Sequence, residues 1–327
     1  MINSMRKKYS IHIPGIFWGI VGLFIFFAIK EKNFLTAYNL ILIARNVCIL
    51  MVASVGMTLV ILVSQIDLSI GSVMSFSATV LGIMLGRGVP VVVCIFIALS
   101  VGIVIGSING FMIAVLKYDY WITTFATMSI GAGLALVVSS GNTIPIRDSF
   151  MEWIGNGQIL GVYTMIWITL ILVALMVFIL KKTTFGYNIY SIGGSENVAR
   201  VSGIFVVKNR FMAYVISGLF ASIAGILISG MTTSASPIVG SEYSFNAIAA
   251  VIIGGTSFDG GKGGIVGTLL GTLLLRVLAS GLSMMGVSSV VQKVIIGVVI
   301  VILIVAERFA EKQQKNVGLR RVYADDK

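Results

Sequence analysis

Charge is what this chain has least of. Asp, Glu, Lys and Arg make up 11% of its 327 residues, against about 25% in soluble domains. So little charge cannot cover a water-facing surface, and a soluble globular protein is excluded. Histidine occurs once, at His12, and cysteine twice, at Cys48 and Cys94, both inside apolar runs. No metal-ligand spacing exists among them, and neither a Ser-His-Asp nor a Cys-His arrangement is available. The cysteines read as small buried hydrophobes. Paired carboxylates are missing from the apolar runs, so acid–base catalysis lacks its groups as well. Two glycine clusters fall short of nucleotide motifs. Gly193, Gly194 and Gly203 miss the G-x-G-x-x-G spacing. In GGTSFDGGKGG, residues 254–264, Thr256 stands where a Walker A loop has its first glycine, and Gly263 follows Lys262 where Ser or Thr is required. This sequence has no site for hydrolysing ATP by itself, and an enzyme is disfavoured.

What is abundant is apolar sequence. It amounts to 57% of the chain and comes in continuous blocks long enough to cross a bilayer, for which roughly 20 residues suffice. The blocks lack the alternation of barrel strands. The expectation is an all-α polytopic membrane protein with about ten transmembrane helices, near 14–30, 40–63, 69–86, 90–115, 121–139, 161–180, 211–231, 244–254, 264–283 and 288–306. The first run follows Arg6, Lys7 and Lys8 but has no convincing small-residue cleavage site, so it reads as a spanning helix. An even count puts both termini on one side. With the N-terminus cytoplasmic, inner segments hold sixteen of the 23 Lys and Arg residues and outer segments four, the asymmetry the positive-inside rule requires. The plan is a cytoplasmic segment 1–13, a membrane domain 14–306 with an inner segment at about 181–210, and a charged cytoplasmic tail 307–327. The net charge of +11 follows from topology and attraction to anionic lipid, not from nucleic-acid binding.

The inner segment contains GYNIYSIGGSENVARVSGI, residues 186–204. Ser195 is a good N-cap, Glu196 suits the first turn, and Gly203 suits the C′ position of a helix over about 196–202. Val198 and Val201 then share one face and Arg200 another. Two turns are too short to stand alone in water. The stretch is either a capped loop or a docking element held out for a cytosolic partner.

Polar breaks at membrane depth are the other candidates. In SQIDLSIGS, residues 64–72, Asp67 is costly in hydrocarbon unless it meets water or a partner. It either caps the third helix at the inner interface, lines a path with Ser69, or has a partner elsewhere. In GSEYSFNAIAA, residues 240–250, Ser244 and Asn246 either face a cavity or pack helices. GGTSFDGGKGG reads as a tight inner turn, and the 37 glycines as aids to close helix packing. Arg45 is placed to snorkel. Arg276 and Lys293 lie deeper and need partners.

GGSENVARVSGI resembles the coupling loop of the ribose/galactose-type ABC sugar permeases. So do SVGMTLVILVSQIDLSIGSVMS (54–75), FNAIAAVIIGGTSFDGGKGGIVGTLLG (245–271) and SGLSMMGVSSVVQKVIIGVVIVI (280–302). The resemblance covers roughly 40–305. Gln65 departs from a usual glycine, and Asp259 stands where small residues are common. The resemblance implies an ABC importer permease fold in the bacterial inner membrane, working as a homodimer. Its partners would be an ABC ATP-binding subunit and an extracytoplasmic sugar-binding protein. ATP and Mg would sit on the ATPase, with no cofactor on this chain. It also implies that Gly193, Gly194, Ser195, Glu196, Asn197, Ala199, Arg200, Ser202 and Gly203 form the ATPase coupling loop. The cargo would be a ribose- or galactose-like monosaccharide, with a nucleoside, furanosyl signal or polyol as alternatives. A proton-coupled transporter would need a chain of titratable groups across the bilayer, and only Asp67 and Glu242 offer themselves.

Overall fold

The computed structural model describes residues 15–299 together with 301, 302 and 305. The expected segment 1–13 with its His12, and the charged tail 307–327, lie outside the described residues. Twelve helices run in order: α1 Gly15–Lys30, α2 Ala37–Leu62, α3 Ile70–Gly86, α4 Val91–Gly110, α5 Tyr120–Ser139, α6 Ser149–Asn156, α7 Thr164–Lys182, α8 Thr184–Gly194, α9 Glu196–Val201, α10 Val206–Thr232, α11 Tyr243–Ile253 and α12 Ile265–Met284. A further helix, α13, follows at Ser289–Val299. Each of the ten apolar runs is helical. Among the described residues, six are long and apolar enough to cross a membrane: α2, α4 continued by the π-helical turn Phe111–Val115, α5, α7, α10 and α12. The apolar α1, α3, α11 and α13 are shorter. This is a multi-pass membrane protein.

The stretch between the expected spans 121–139 and 161–180 is ordered. It carries α6, whose N-cap Asp148 accepts hydrogen bonds from the Phe150 and Met151 amides at 3.0 and 2.9 Å. It also carries two short antiparallel ladders, β1 (Ile144–Pro145) with β4 (Ser234–Ala235), and β2 (Gln158–Ile159) with β3 (Val162–Tyr163).

The core forms around α2 and α10. A helix apolar on every side has no water-facing stripe and belongs inside; in α2 every residue from Val47 to Leu62 is buried. Small residues let α10 approach its neighbours. A Cβ at Gly102 of α4 would fall 2.0 Å from Ser222 Oγ and 2.1 Å from the Gly218 carbonyl oxygen of α10. Close backbone approach of this kind substitutes for the hydrophobic drive that lipid cannot supply.

Among the described residues, several basic side chains gather at one end of the bundle. Lys117, Arg200 and Lys208 border one groove there, and Lys181 lies beside the Gly263–Gly264 turn. The C-terminus of α2 reaches the same end, where the Leu62 carbonyl accepts from the Gly261 amide at 3.0 Å. The start of α2 and the end of α12 lie at the other.

Candidate coupling face and buried polar seam

The segment 183–204 forms two short helices whose ends are all capped. Thr183 Oγ1 accepts from the Gly186 amide to open α8, and Ser195 Oγ accepts from the Val198 amide at 3.4 Å to open α9. α9 closes with a paired motif: the Ile204 amide donates to the Ala199 carbonyl at 3.0 Å and the Gly203 amide to Arg200 at 3.1 Å. This geometry needs a left-handed residue at Gly203, whose φ is +82°, and glycine adopts it without a Cβ clash.

Glu196, in the first turn, is held from two sides. Its Oε1 accepts from Arg200 at 2.6 Å and its Oε2 from Arg210 at 2.7 Å. The Arg210 hydrogen bond is the main reason its carboxyl titrates below the ordinary glutamate range; partial burial opposes the shift and Arg200 adds to it. The Arg200 pair is exposed and contributes little stability. The Arg210 pair ties α9 to the first turn of α10, so its effect is orientation. Arg210 stands fourteen residues away, beyond any local pattern, and only its charge marked it in the sequence.

The outward edge of α9 is apolar. Val198 is 62% exposed, Val201 85% and Phe205, just beyond, 77%. Beside them a groove of about 560 Å³ is lined by Val115, Ile204, Phe205 and Phe211, with Lys117, Arg200 and Lys208 as its basic border. Ser195, Asn197, Ser202 and Gly203 are exposed. Ala199 is not: at 2% exposure it packs into the core, because it sits on the face of α9 turned toward the bundle. Of the expected coupling residues, Ala199 therefore faces the bundle, while the neighbouring Val198, Val201 and Phe205 face outward. Gly193 also faces inward. A Cβ there would meet the Leu62 carbonyl oxygen at 1.9 Å and the Gly261 nitrogen at 2.3 Å, whereas Gly194 faces open space.

The 254–264 stretch is a tight turn at this same end, with the Ser257 amide donating to the Lys262 carbonyl at 3.1 Å. Ser64 Oγ donates to the Asp259 carbonyl at 2.6 Å, and Tyr190 OH to the Gly263 carbonyl at 3.0 Å. The turn thus joins α8 to the end of α2.

Asp67 lies in a buried seam at the start of α3 and is 1% exposed. Its Oδ1 accepts from the Ser69 amide at 3.0 Å and from Ser69 Oγ at 2.5 Å, while Oδ2 accepts from Ser217 Oγ at 2.8 Å. Asn109 donates to Ser69 Oγ at 2.9 Å, and Thr127 donates to Asn109 Oδ1 at 2.8 Å. The seam joins the α2–α3 linker to α4, α5 and α10, and these partners meet the carboxylate's need for donors. Ser244 accepts from the Gly71 amide at 2.9 Å and donates to the Leu68 carbonyl at 2.8 Å, fastening α11 to the start of α3. Asp67, Ser69 and Ser244 are buried in helix contacts. Asn246, two residues beyond Ser244 in α11, is half-buried.

The family model described as branched-chain amino acid transport system / permease component matches residues 39–304. The chain belongs to this permease family. The ribose import permease protein RbsC of Escherichia coli is 38% identical over 297 residues, 88% of this chain and 92% of that relative. The protein of the same name from Bacillus subtilis is 38% identical over 311 residues, covering 92% and 96%. The L-arabinose transport system permease protein AraH of Escherichia coli is 31% identical over 303 residues, covering 90% of each. The resemblance to ribose-type sugar permeases thus extends over most of the chain, and these relatives are named as transport permeases rather than enzymes. No solved structure is significantly similar to it.

Proposed function

We propose that this chain is the membrane-spanning subunit of an ABC importer that moves a monosaccharide across the bacterial inner membrane. All ten apolar helices would cross the bilayer with both termini cytoplasmic, as the gathering of basic residues at one end supports. A ribose- or galactose-type sugar is the cargo, and relatives named for ribose and L-arabinose favour a pentose.

The observation that carries the reading is α9. A two-turn helix capped at both ends, clamped through Glu196 to Arg210 and presenting Val198 and Val201 to solvent, gains nothing from folding that way unless another surface covers it. A cytosolic ATPase is that surface. Phe205 and the groove beside it receive the partner, and the basic border selects an acidic counterpart. ATP and Mg belong to the ATPase. Ser195, Glu196, Arg200, Arg210 and Gly203 position the helix, so closure of the ATPase moves α9 and, through Arg210, α10. A second copy of this chain completes the pathway as a two-fold assembly, and an extracytoplasmic binding protein delivers the sugar.

The test is uptake of labelled ribose and galactose into vesicles reconstituted with the chain, its ATPase and its binding protein. Uptake should stop when the ATPase is omitted. Uptake that continues without it under a pH gradient would overturn the proposal.

A further inference from the structure

At the end of the bundle opposite α9, a cavity of about 270 Å³ opens between α2, α12 and α13, with Asn39, Asn46, Arg276, Ser280, Ser283 and Gln292 among its lining residues. Apolar helices do not line a gap with six polar side chains without a reason, since each costs free energy at membrane depth. Its lining on α12 runs from Arg276 to Ser283, roughly 10 Å along the helix at 1.5 Å per residue.

At its floor is an unusual cation. Arg276 Nε and Nη2 are buried and have no hydrogen-bond partner among the described residues. The guanidinium carbon lies 5.1 Å from the centre of the Tyr243 ring, which holds the group without using its donors. The other lining groups offer both donors and acceptors. Asn46 gives one amide N–H to the Leu42 carbonyl at 2.9 Å and Gln292 one to the Val287 carbonyl at 2.8 Å, and each keeps a second N–H beside its carbonyl oxygen. Ser280 donates to Asn39 Oδ1 at 2.8 Å, and Asn39 to the Phe34 carbonyl at 2.8 Å, which stiffens the wall. Next to the cavity, Lys293 pairs with Glu242 at 2.6 Å and fastens α13 to the start of α11.

We propose that this cavity is a binding subsite for one neutral monosaccharide ring. Arginine donors beside amide and hydroxyl acceptors match hydroxyl groups, each of which both gives and takes a hydrogen bond. The volume is near the lower end of the roughly 300–1,000 Å³ of small-molecule sites, so a single ring fits and an oligosaccharide does not. The subsite's place on a transport path rests on the function proposed above; its sugar binding does not.

The experiment therefore measures binding by itself. D-ribose is added to the chain in lipid nanodiscs free of glycosidic detergent, and saturation-transfer NMR reads the ring-proton signals. Ser283→Trp fills the cavity from an exposed position, and thermal unfolding checks that it folds. Arg276→Gln removes the guanidinium donors while retaining an amide. Signal on the native chain, lost in Ser283→Trp and about tenfold weaker in apparent affinity in Arg276→Gln, is the expected result. Absence of signal on the native chain for ribose, arabinose and galactose, or signal unchanged in folded Ser283→Trp, overturns the subsite. Vesicle uptake, run separately, tests the transport function, so the two fail independently.

Discussion

If the chain works with an ATPase as proposed, replacing Val201 by aspartate should uncouple the two while leaving the chain itself intact. Val201 is 85% exposed, so the folded chain loses almost no packing, and a surface change of this kind stays within about 0.5 kcal/mol of stability. In the docked complex the same side chain is covered. Burying a valine contributes about 1.5–3 kcal/mol, and placing an unpaired carboxylate there adds a desolvation cost of at least similar size. At 1.4 kcal/mol per tenfold, affinity for the ATPase should fall at least about tenfold, and transport with it. The assay pairs ATPase binding to the chain in nanodiscs with sugar uptake in vesicles, with thermal unfolding as the control. Ala199→Asp supplies the contrast. At 2% exposure that change buries a charge in the core and lowers the melting temperature whether or not a partner exists. Val201→Asp binding the ATPase within twofold of the native chain would refute α9 as the docking element.

Gly102→Leu should lower the melting temperature, because its Cβ alone would stand 2.1 Å from the Gly218 carbonyl oxygen, and overpacking costs about 1–3 kcal/mol; a thermal scan in detergent reads it. Ser217→Ala removes one donor from the buried Asp67 carboxylate and should destabilise by about 1.5–3 kcal/mol, the range for hydrogen bonds to charged groups, measured in the same way. The attachment of α9 should depend on pH in a stated direction. Glu196 titrates lower in the folded chain than an ordinary glutamate, so its pairing is fully present above about pH 4.3 and is lost as pH falls through its lowered value. Amide-exchange protection at Gly203 and Ile204, corrected for intrinsic rates, should hold flat from pH 7 to that point and drop only below it. Arg210→Gln should move the drop upward.

Hydropathy along the sequence was enough to place ten apolar helices, since hydrogen-bond satisfaction in lipid leaves a long apolar run little choice but to be helical. The caps of α9 were equally legible, because Ser195, Glu196 and Gly203 act within a few residues of one another. The glycine turn at 254–264 was readable for the same local reason. What tertiary structure alone decided depends on residues far apart in the chain. Asp67 meets Ser217 across 150 positions, and that contact turns an ambiguous polar break into a buried seam. Ala199 and Val201 differ by two positions, yet one is buried and the other exposed, because the direction in which α9 docks is set by Arg210 and the bundle beneath it. The polar cavity joins Asn39 to Ser280 over 241 positions. Periodicity and capping act over a few residues and can be read along the chain, whereas which faces meet is settled only when distant helices pack.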